Sequence, residues 1–301
     1  MPYSIQASFG SARQTARLTG APPERDLSSM EAASVAAVAA RASGENFPVA
    51  SLLFPRRLRP HLRRVYGYCR LVDILGDEAE GDRLELLDEL EREVEACYGG
   101  EPTWPVLREL QPTIAEFDLP RGPFLRLIEA NRMDQRISEY ETWEDLKGYC
   151  VHSADPCGRL VLGLLRRADD DALVAASDDV CTGLQLVNFL QDVPRDLDLG
   201  RIYLPAEDRR RFGVTELERA NEPLRRLLRF ESQRAAALLA GGGRRLRDGL
   251  GGRIGRAVWL FARGGLAALD ALEDADYDVF TRRPSPSRAR LARAAVAALV
   301  G

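Results

Sequence analysis

From about residue 29 onward, apolar residues recur every three or four positions and polar residues fill the intervals, which is the period of a helix with one buried face. The pattern predicts helices over 30–42, 57–77, 84–98, 105–116, 123–137, 143–151, 156–167, 171–193, 217–239, 254–276 and 287–300. The glycines at 99–100 close one of these, and those at 241–243 and 251–252 read as punctuation between helices. Alternating segments of period two are almost missing, and no repeat of 20–50 residues is visible. The expectation is an all-α, single-domain helical bundle over 29–301. Residues 1–28 mix Ser, Thr, Gln, Pro and Arg without a period and read as a flexible N-terminal tail.

Two helical segments carry acidic residues in an unusual setting. In 181–205, CTGLQLVNFLQDVPRDLDLGRIYLP, the polar residues Gln185, Asn188, Asp192 and Asp196 follow one another at steps of three, four and four. On a helix those steps form a single stripe. Leu184, Leu186, Val187, Phe189, Leu190 and Val193 occupy the other faces, so the stripe is expected to face a cavity within the bundle. Pro194 interrupts the backbone hydrogen bonding between the two aspartates; a helix ending near Val193 would take Asp196 off the stripe.

In 66–78, YGYCRLVDILGDE, the residues Tyr66, Arg70, Asp73 and Asp77 share one face, with Val65, Cys69, Val72 and Leu75 on the others. Aspartates one turn apart suit an oxygen-seeking ion such as Mg²⁺, and an arginine can hold phosphate oxygens in a bidentate fork. One such cluster usually means a solvated face. Two, each on a largely apolar segment, imply acidic walls facing across a central apolar cavity. Such a site suits ionisation of a diphosphate, with aromatic walls to shield the carbocation left behind. Phe47, Phe54, Tyr66, Tyr149, Phe189 and Tyr203 stand near the motifs, although large rings more often simply fill a core.

Composition narrows the alternatives. Of 301 residues, 45% are hydrophobic, enough for a sizeable core, and the net charge of −4 argues against nucleic acid as a partner. Lys147 is the single lysine against abundant arginine, which reads as genomic bias. Five cysteines without a CxxC pair suggest neither a disulfide framework nor a zinc site, and two histidines, His61 and His152, cannot build a histidine-rich metal site. His152 stands beside Ser153 and Asp155, but adjacency in sequence does not make a nucleophile triad. Neither a signal peptide nor a membrane span is expected, so the reading is a cytoplasmic protein. The basic runs at 56–57, 209–211 and 244–245 leave room for peripheral contact with the inner face of the membrane.

YGYCRLVDILGDE and GLQLVNFLQDVPRDLDLGRIYLP resemble the two aspartate-rich signatures of the squalene/phytoene synthase family, over about residues 45–205. The string Q-x-x-N-x-x-x-D followed by G-R-I-Y-L-P is the more specific of the two. ENFPVASLLFPRRLRPHLR, YCVHSADPCGRLVL and NFLQDVPRD look like the hydroxysqualene-forming members from bacterial hopanoid pathways, and Gln191 stands where other branches usually carry arginine.

The resemblance implies an isoprenoid-synthase fold and Mg²⁺, with Mn²⁺ as a substitute, acting on presqualene diphosphate. Water would capture the rearranged cation to give hydroxysqualene, so no NADPH is expected. Asp73, Asp77, Asn188, Asp192 and Asp196 match the metal ligands, and Arg70 matches the diphosphate contact. Phe47, Tyr66, Tyr149, Gln185 and Tyr203 match positions lining the substrate cavity. Ile74 stands where many members have a further aspartate, and Ser43 lies near the place of a missing histidine. Condensation of two farnesyl diphosphates, to presqualene diphosphate, squalene or a phytoene-type product, is the alternative. Companion enzymes of the squalene pathway are expected partners. A non-catalytic relative serving as an assembly factor is the third reading, and retention of the acidic residues speaks against it.

Overall fold

A computed structural model describes residues 54–293. The expected helix over 30–42, Phe47, the tail at 1–28 and the end of the chain lie outside the described residues. Eleven α-helices follow in order: α1 Arg59–Asp73, α2 Arg83–Gly99, α3 Pro105–Phe117, α4 Arg121–Asp134, α5 Trp143–Ser153, α6 Asp155–Leu164, α7 Asp171–Gln191, α8 Val193–Asp198, α9 Ala206–Phe212, α10 Glu222–Leu250 and α11 Gly252–Asp274. The described residues contain no strand, only one isolated bridge between Glu139 and Ile202. The all-α expectation is met.

Local chemistry sets the boundaries. Asp82 caps α2 by accepting from the backbone of Leu84 and Glu85, and Thr142 and Asp145 form a reciprocal capping box on α5. Gly251 and Gly252, at φ +62° and +50°, make the turn between α10 and α11.

Three sequence expectations are corrected. The helix expected over 57–77 ends at Asp73 and widens into a π-helical turn, Ile74–Glu78. The glycines at 241–243 do not break a helix. They lie inside α10, and Gly242 and Gly243 are buried where a methyl group would meet α7 or Trp259 within 3 Å. The helix expected over 171–193 stops at Gln191. Asp192 leaves helical geometry at φ −107°, ψ 13°, and α8 restarts with Pro194 in its first turn, where a missing N–H costs nothing. Short α9 falls in a stretch for which the periodicity predicts no helix.

Two apolar clusters hold the bundle. One, from α1 to α4 and α6, centres on Tyr68, Leu75, Leu90, Leu107, Phe124 and Ile128. The other, from α5, α7, α10 and α11, centres on Leu146, Leu186, Leu190, Leu228, Leu239 and Leu272. Each fully buried leucine contributes roughly 1.5–3 kcal/mol. The first acidic segment grows from the first cluster and the second from the other, so the site lies where the clusters meet.

Candidate active site

The two acidic segments meet at Arg201. Its Nη1 donates to Asp77 Oδ1 at 2.8 Å, and its backbone N–H donates to the Asp196 carbonyl at 2.8 Å. Its guanidinium also stands 3.9 Å from Asp134 Oδ2. The side chains of Arg201 and Asp134 are only 9% and 7% exposed, so this is a buried charge cluster. Burial works against the Arg201 charge, and Asp134, Tyr203 and Asp77 outweigh it, holding the pKa above its ordinary value. The turn that carries Arg201 is pinned by Ile202 N–H donating to the Ser138 carbonyl at 2.7 Å.

Asp134, at the end of α4, organises an aromatic wall. Tyr149 and Tyr203 each donate their hydroxyl to one of its carboxylate oxygens at 2.7 Å. Burial pushes the Asp134 carboxyl up, while Arg201 and the two hydroxyls pull it back only in part. Tyr203 stacks on Phe189 with centroids 4.1 Å apart and planes 10° apart, and Tyr149 stands 5.5 Å from Tyr203. Phe189, Tyr203, Asp196 and Arg201 share the walls of one cleft with Val193 and Leu204. An apolar aromatic surface and a charged one therefore adjoin.

In the first acidic segment, Asp73 is exposed, Asp77 half-buried and Tyr66 half-buried. Arg70 donates to Glu78 at 2.8 Å and lies 3.8 Å from Asp73. Its Nε is buried and lacks a hydrogen-bond partner among the described residues. An unfilled buried donor on an arginine is the kind of group an incoming anion satisfies.

In the second segment, Gln185 is half-buried and Asn188 exposed. Asp192 is held in a bidentate pair by Arg283, with Nη2 to Oδ2 at 2.9 Å. Arg283 lies in the loop after α11, and that loop is also tied down where Gln191 Nε2 donates to the Pro284 carbonyl. The helix break at Asp192 does not separate the two aspartates electrostatically. Burial, and then the Asp192 charge, push the Asp196 carboxyl up to about 7.

Such an acidic pair fits a divalent cation. Among the described residues no three carboxylate, imidazole or thiolate groups converge on a common point. Mg²⁺ is commonly held by one or two carboxylates together with substrate phosphates, so a closed protein cage is not required of such residues. Asp73 and Asp77 on one side, with Asn188, Asp192 and Asp196 on the other, are the residues available to hold it.

The sequence reading picked neither Asp134, Arg201 nor Arg283 as site residues. Asp134 occupies an ordinary polar position of α4, and Arg283 lies in an aperiodic loop. Arg201 stands inside GRIYLP, the most specific string in the chain, and that was the available signal. His152 does not join Ser153 and Asp155 as a triad: its Nδ1 contacts the Gly148 carbonyl, and Asp155 accepts from Thr182.

Comparison with known proteins agrees with this geometry. A family model described as squalene/phytoene synthase matches residues 40–290. The chain belongs to the squalene/phytoene synthase family. Members of this family are prenyltransferase-type enzymes of isoprenoid biosynthesis. The phytoene synthase of Arthrospira platensis is 32% identical over 260 residues, 79% of this chain and 83% of that protein. The hydroxysqualene synthase of Zymomonas mobilis is 34% identical over 204 residues, 65% of this chain and 67% of that one. The crystal structure of squalene synthase HpnC from Alicyclobacillus acidocaldarius is 46% identical, with a TM-score of 0.75 over 81% of this chain and 94% of that chain. These family members fix the helical-bundle fold and the coarse class, prenyltransferase-type enzymes of isoprenoid biosynthesis. Among the described residues no helix is long and apolar enough to cross a membrane.

Proposed function

We propose that this family member ionises presqualene diphosphate with Mg²⁺ and that water captures the rearranged cation, releasing hydroxysqualene and diphosphate. The observation that carries the reading is Arg201, which joins Asp77 to the Asp196 turn beside the Phe189–Tyr203 stack. A site for charge neutralisation therefore adjoins an apolar aromatic wall. The 46% identity to the HpnC structure and the hydroxysqualene synthase relatives support this branch of the family.

Mg²⁺, with Mn²⁺ as a substitute, would be held by Asp73, Asp77, Asn188, Asp192 and Asp196, and it supplies neutralisation of the diphosphate charge as the carbon–oxygen bond breaks. Arg70 offers its open Nε donor to the same leaving group. Phe189, Tyr149 and Tyr203 present ring faces that shield the cation from bulk water and favour its charge. Asp134 keeps both tyrosine rings in place through their hydroxyls and, being buried, holds them without exposing the wall to solvent. Tyr66 and Gln185 extend the lining, and Phe47 is expected to join it. The reaction ends with water, so NADPH has no role. Brief contact with the inner membrane face, where an apolar substrate and product reside, belongs to the same reading, and companion enzymes of the squalene pathway would supply and consume them.

A second reading, condensation of two farnesyl diphosphates or a phytoene-type reaction, draws on the phytoene synthase relatives, which match a larger share of the chain. Purified protein with Mg²⁺ should be given presqualene diphosphate and farnesyl diphosphate separately, and the products analysed by mass spectrometry. Hydroxysqualene from presqualene diphosphate is the expected result. Product from farnesyl diphosphate alone, with presqualene diphosphate untouched, would overturn the proposal. Asp192→Asn should remove most turnover and leave the circular dichroism spectrum unchanged.

A further inference from the structure

Three of the five thiols gather behind the first acidic segment. Cys69 on α1 and Cys157 on α6 are 88 residues apart in the chain, yet their sulfur atoms stand 3.7 Å apart across the helix interface. Cys181 on α7 is the third: a methyl group on neighbouring Gly158 would lie 2.7 Å from its sulfur. Cys69 and Cys157 are both half-buried. The pair lies close to the site, because the Asp73 carboxylate is felt at the Cys157 sulfur and Arg70 is the next residue after Cys69.

We propose that Cys69 and Cys157 form an oxidisable dithiol that closes to a disulfide between α1 and α6 and thereby makes the first acidic segment sensitive to peroxide. The two sulfurs have to approach by about 1.7 Å to reach the bond length of about 2.05 Å, a distance that side-chain rotation and a small helix shift can share. The hydrogen bond to Cys69, and then burial, hold the Cys157 thiol well above its ordinary range.

The chemistry balances with a hydroperoxide as oxidant. The Cys69 sulfur attacks one peroxide oxygen, the O–O bond breaks, and a sulfenic acid and one water (or alcohol) result. The Cys157 sulfur then attacks the Cys69 sulfur, the S–O bond breaks and a second water leaves with the Cys157 proton. Two electrons have passed from the two thiols to the peroxide. The new bond pulls α1 toward α6 immediately before Arg70, and a displacement of about an ångström at such a position can cost on the order of a hundredfold in rate.

The test uses the whole protein treated with hydrogen peroxide, quenched, alkylated and mapped as peptides without reduction. A peptide pair joined through Cys69 and Cys157, cleaved by dithiothreitol, is the expected result. Unlinked Cys69 and Cys157 after treatment, or a bond from Cys157 to Cys181 in its place, would overturn the proposal. This arm needs no substrate and stands apart from the reaction proposed above; only the activity arm rests on it. There, wild type should lose turnover at least tenfold and regain it with dithiothreitol. Cys157→Ala should keep its basal turnover and resist the oxidant; equal loss in that variant would count against a disulfide as the cause.

Discussion

Replacing Gly76 by alanine should both destabilise the bundle and disable the site. Gly76 lies in the π-helical turn between Asp73 and Asp77. A Cβ there would stand 1.8 Å from Asn131 Oδ1, 2.6 Å from its Cγ and 2.9 Å from its Cβ. Carbon atoms in good contact are about 3.5–4.0 Å apart. Rotating Asn131 can clear the oxygen but not the Cβ, and it breaks the bond from Asn131 Nδ2 to the Leu127 carbonyl. Either α4 or the π turn therefore has to move. Overpacking of this kind costs about 1–3 kcal/mol, and the lost hydrogen bond about 1 kcal/mol more. The better intrinsic propensity of alanine returns about 0.5–1 kcal/mol, leaving a net loss of about 1–3.5 kcal/mol. The shift reaches the site directly. The Gly76 carbonyl accepts from Gln135 at 3.1 Å, and the next residue, Asp77, holds Arg201 at 2.8 Å. Turnover should fall by about a hundredfold for a misplacement near an ångström.

Urea denaturation followed by circular dichroism gives the stability, and diphosphate release gives the turnover. Gly148→Ala is the control. That glycine is exposed inside α5 and a Cβ there meets nothing within 4 Å, so the protein should gain about 0.5–1 kcal/mol. Adding Asn131→Ala to Gly76→Ala removes the two closest atoms and should recover part of the loss, a coupling that independent sites would not show. Gly76→Ala with wild-type stability and turnover would refute the reasoning.

Arg201→Met leaves Asp77 and Asp134 without their shared cation and should cost about 3–5 kcal/mol in denaturation experiments, because it strands buried charge. Tyr203→Phe keeps the stack on Phe189 but removes one 2.7 Å bond to Asp134, and a loss of about 1.5–3 kcal/mol is expected; thermal melts showing no change would mean the hydroxyl bond is unimportant. Asp155 is buried, and burial followed by the charge of Asp178 raises its carboxyl to about 7. A raised folded pKa means the stability it contributes is full below the unfolded value near 4 and is lost as pH rises to 7. Asp155→Asn can still accept from Thr182, so it should match wild type at pH 4 and exceed it by about 2–3 kcal/mol at pH 8, the helix dipole of α6 offsetting part of the gain. Parallel stability curves for the two proteins from pH 4 to 8 would rule this out.

The helical fold was legible because periodicity is a local signal, and nine of its segments fall wholly within the described residues. The boundaries were less so. Glycines at 241–243 read as a stop, yet inside α10 Gly242 and Gly243 permit close packing on α7 and Trp259, and tertiary contact outweighs their poor helix propensity. Pro194 was rightly seen as a break, but it starts a new helix one residue after Asp192, so Asp192 and Asp196 still face one another electrostatically. The acidic residues could be picked out because each falls at helical spacing in a largely apolar stretch of sequence. Asp134 could not: its meaning comes from Arg201 and Tyr203, far along the chain, and no periodicity links positions that meet only in the folded bundle.

Two of the arginines that pair with the acidic segments, Arg201 and Arg283, differ in a way that separates scaffold from exchangeable counter-ion. Arg201 is 9% exposed, anchored through its own backbone to Asp196 and facing two carboxylates, one of them buried; removing it strands charge in a low-dielectric place. Arg283 is 49% exposed and sits on an aperiodic loop, so its pair with Asp192 is worth about 1 kcal/mol or less and is weakened by salt. Any cation competing for Asp192 therefore displaces Arg283 at small cost and leaves Arg201 in place. The freed guanidinium stays tethered nearby through the contact of Gln191 with Pro284, where it can turn to an anion arriving with that cation. The acidic residues are thus held by arginines of unequal commitment, and Asp192 is the one whose partner exchanges at small cost.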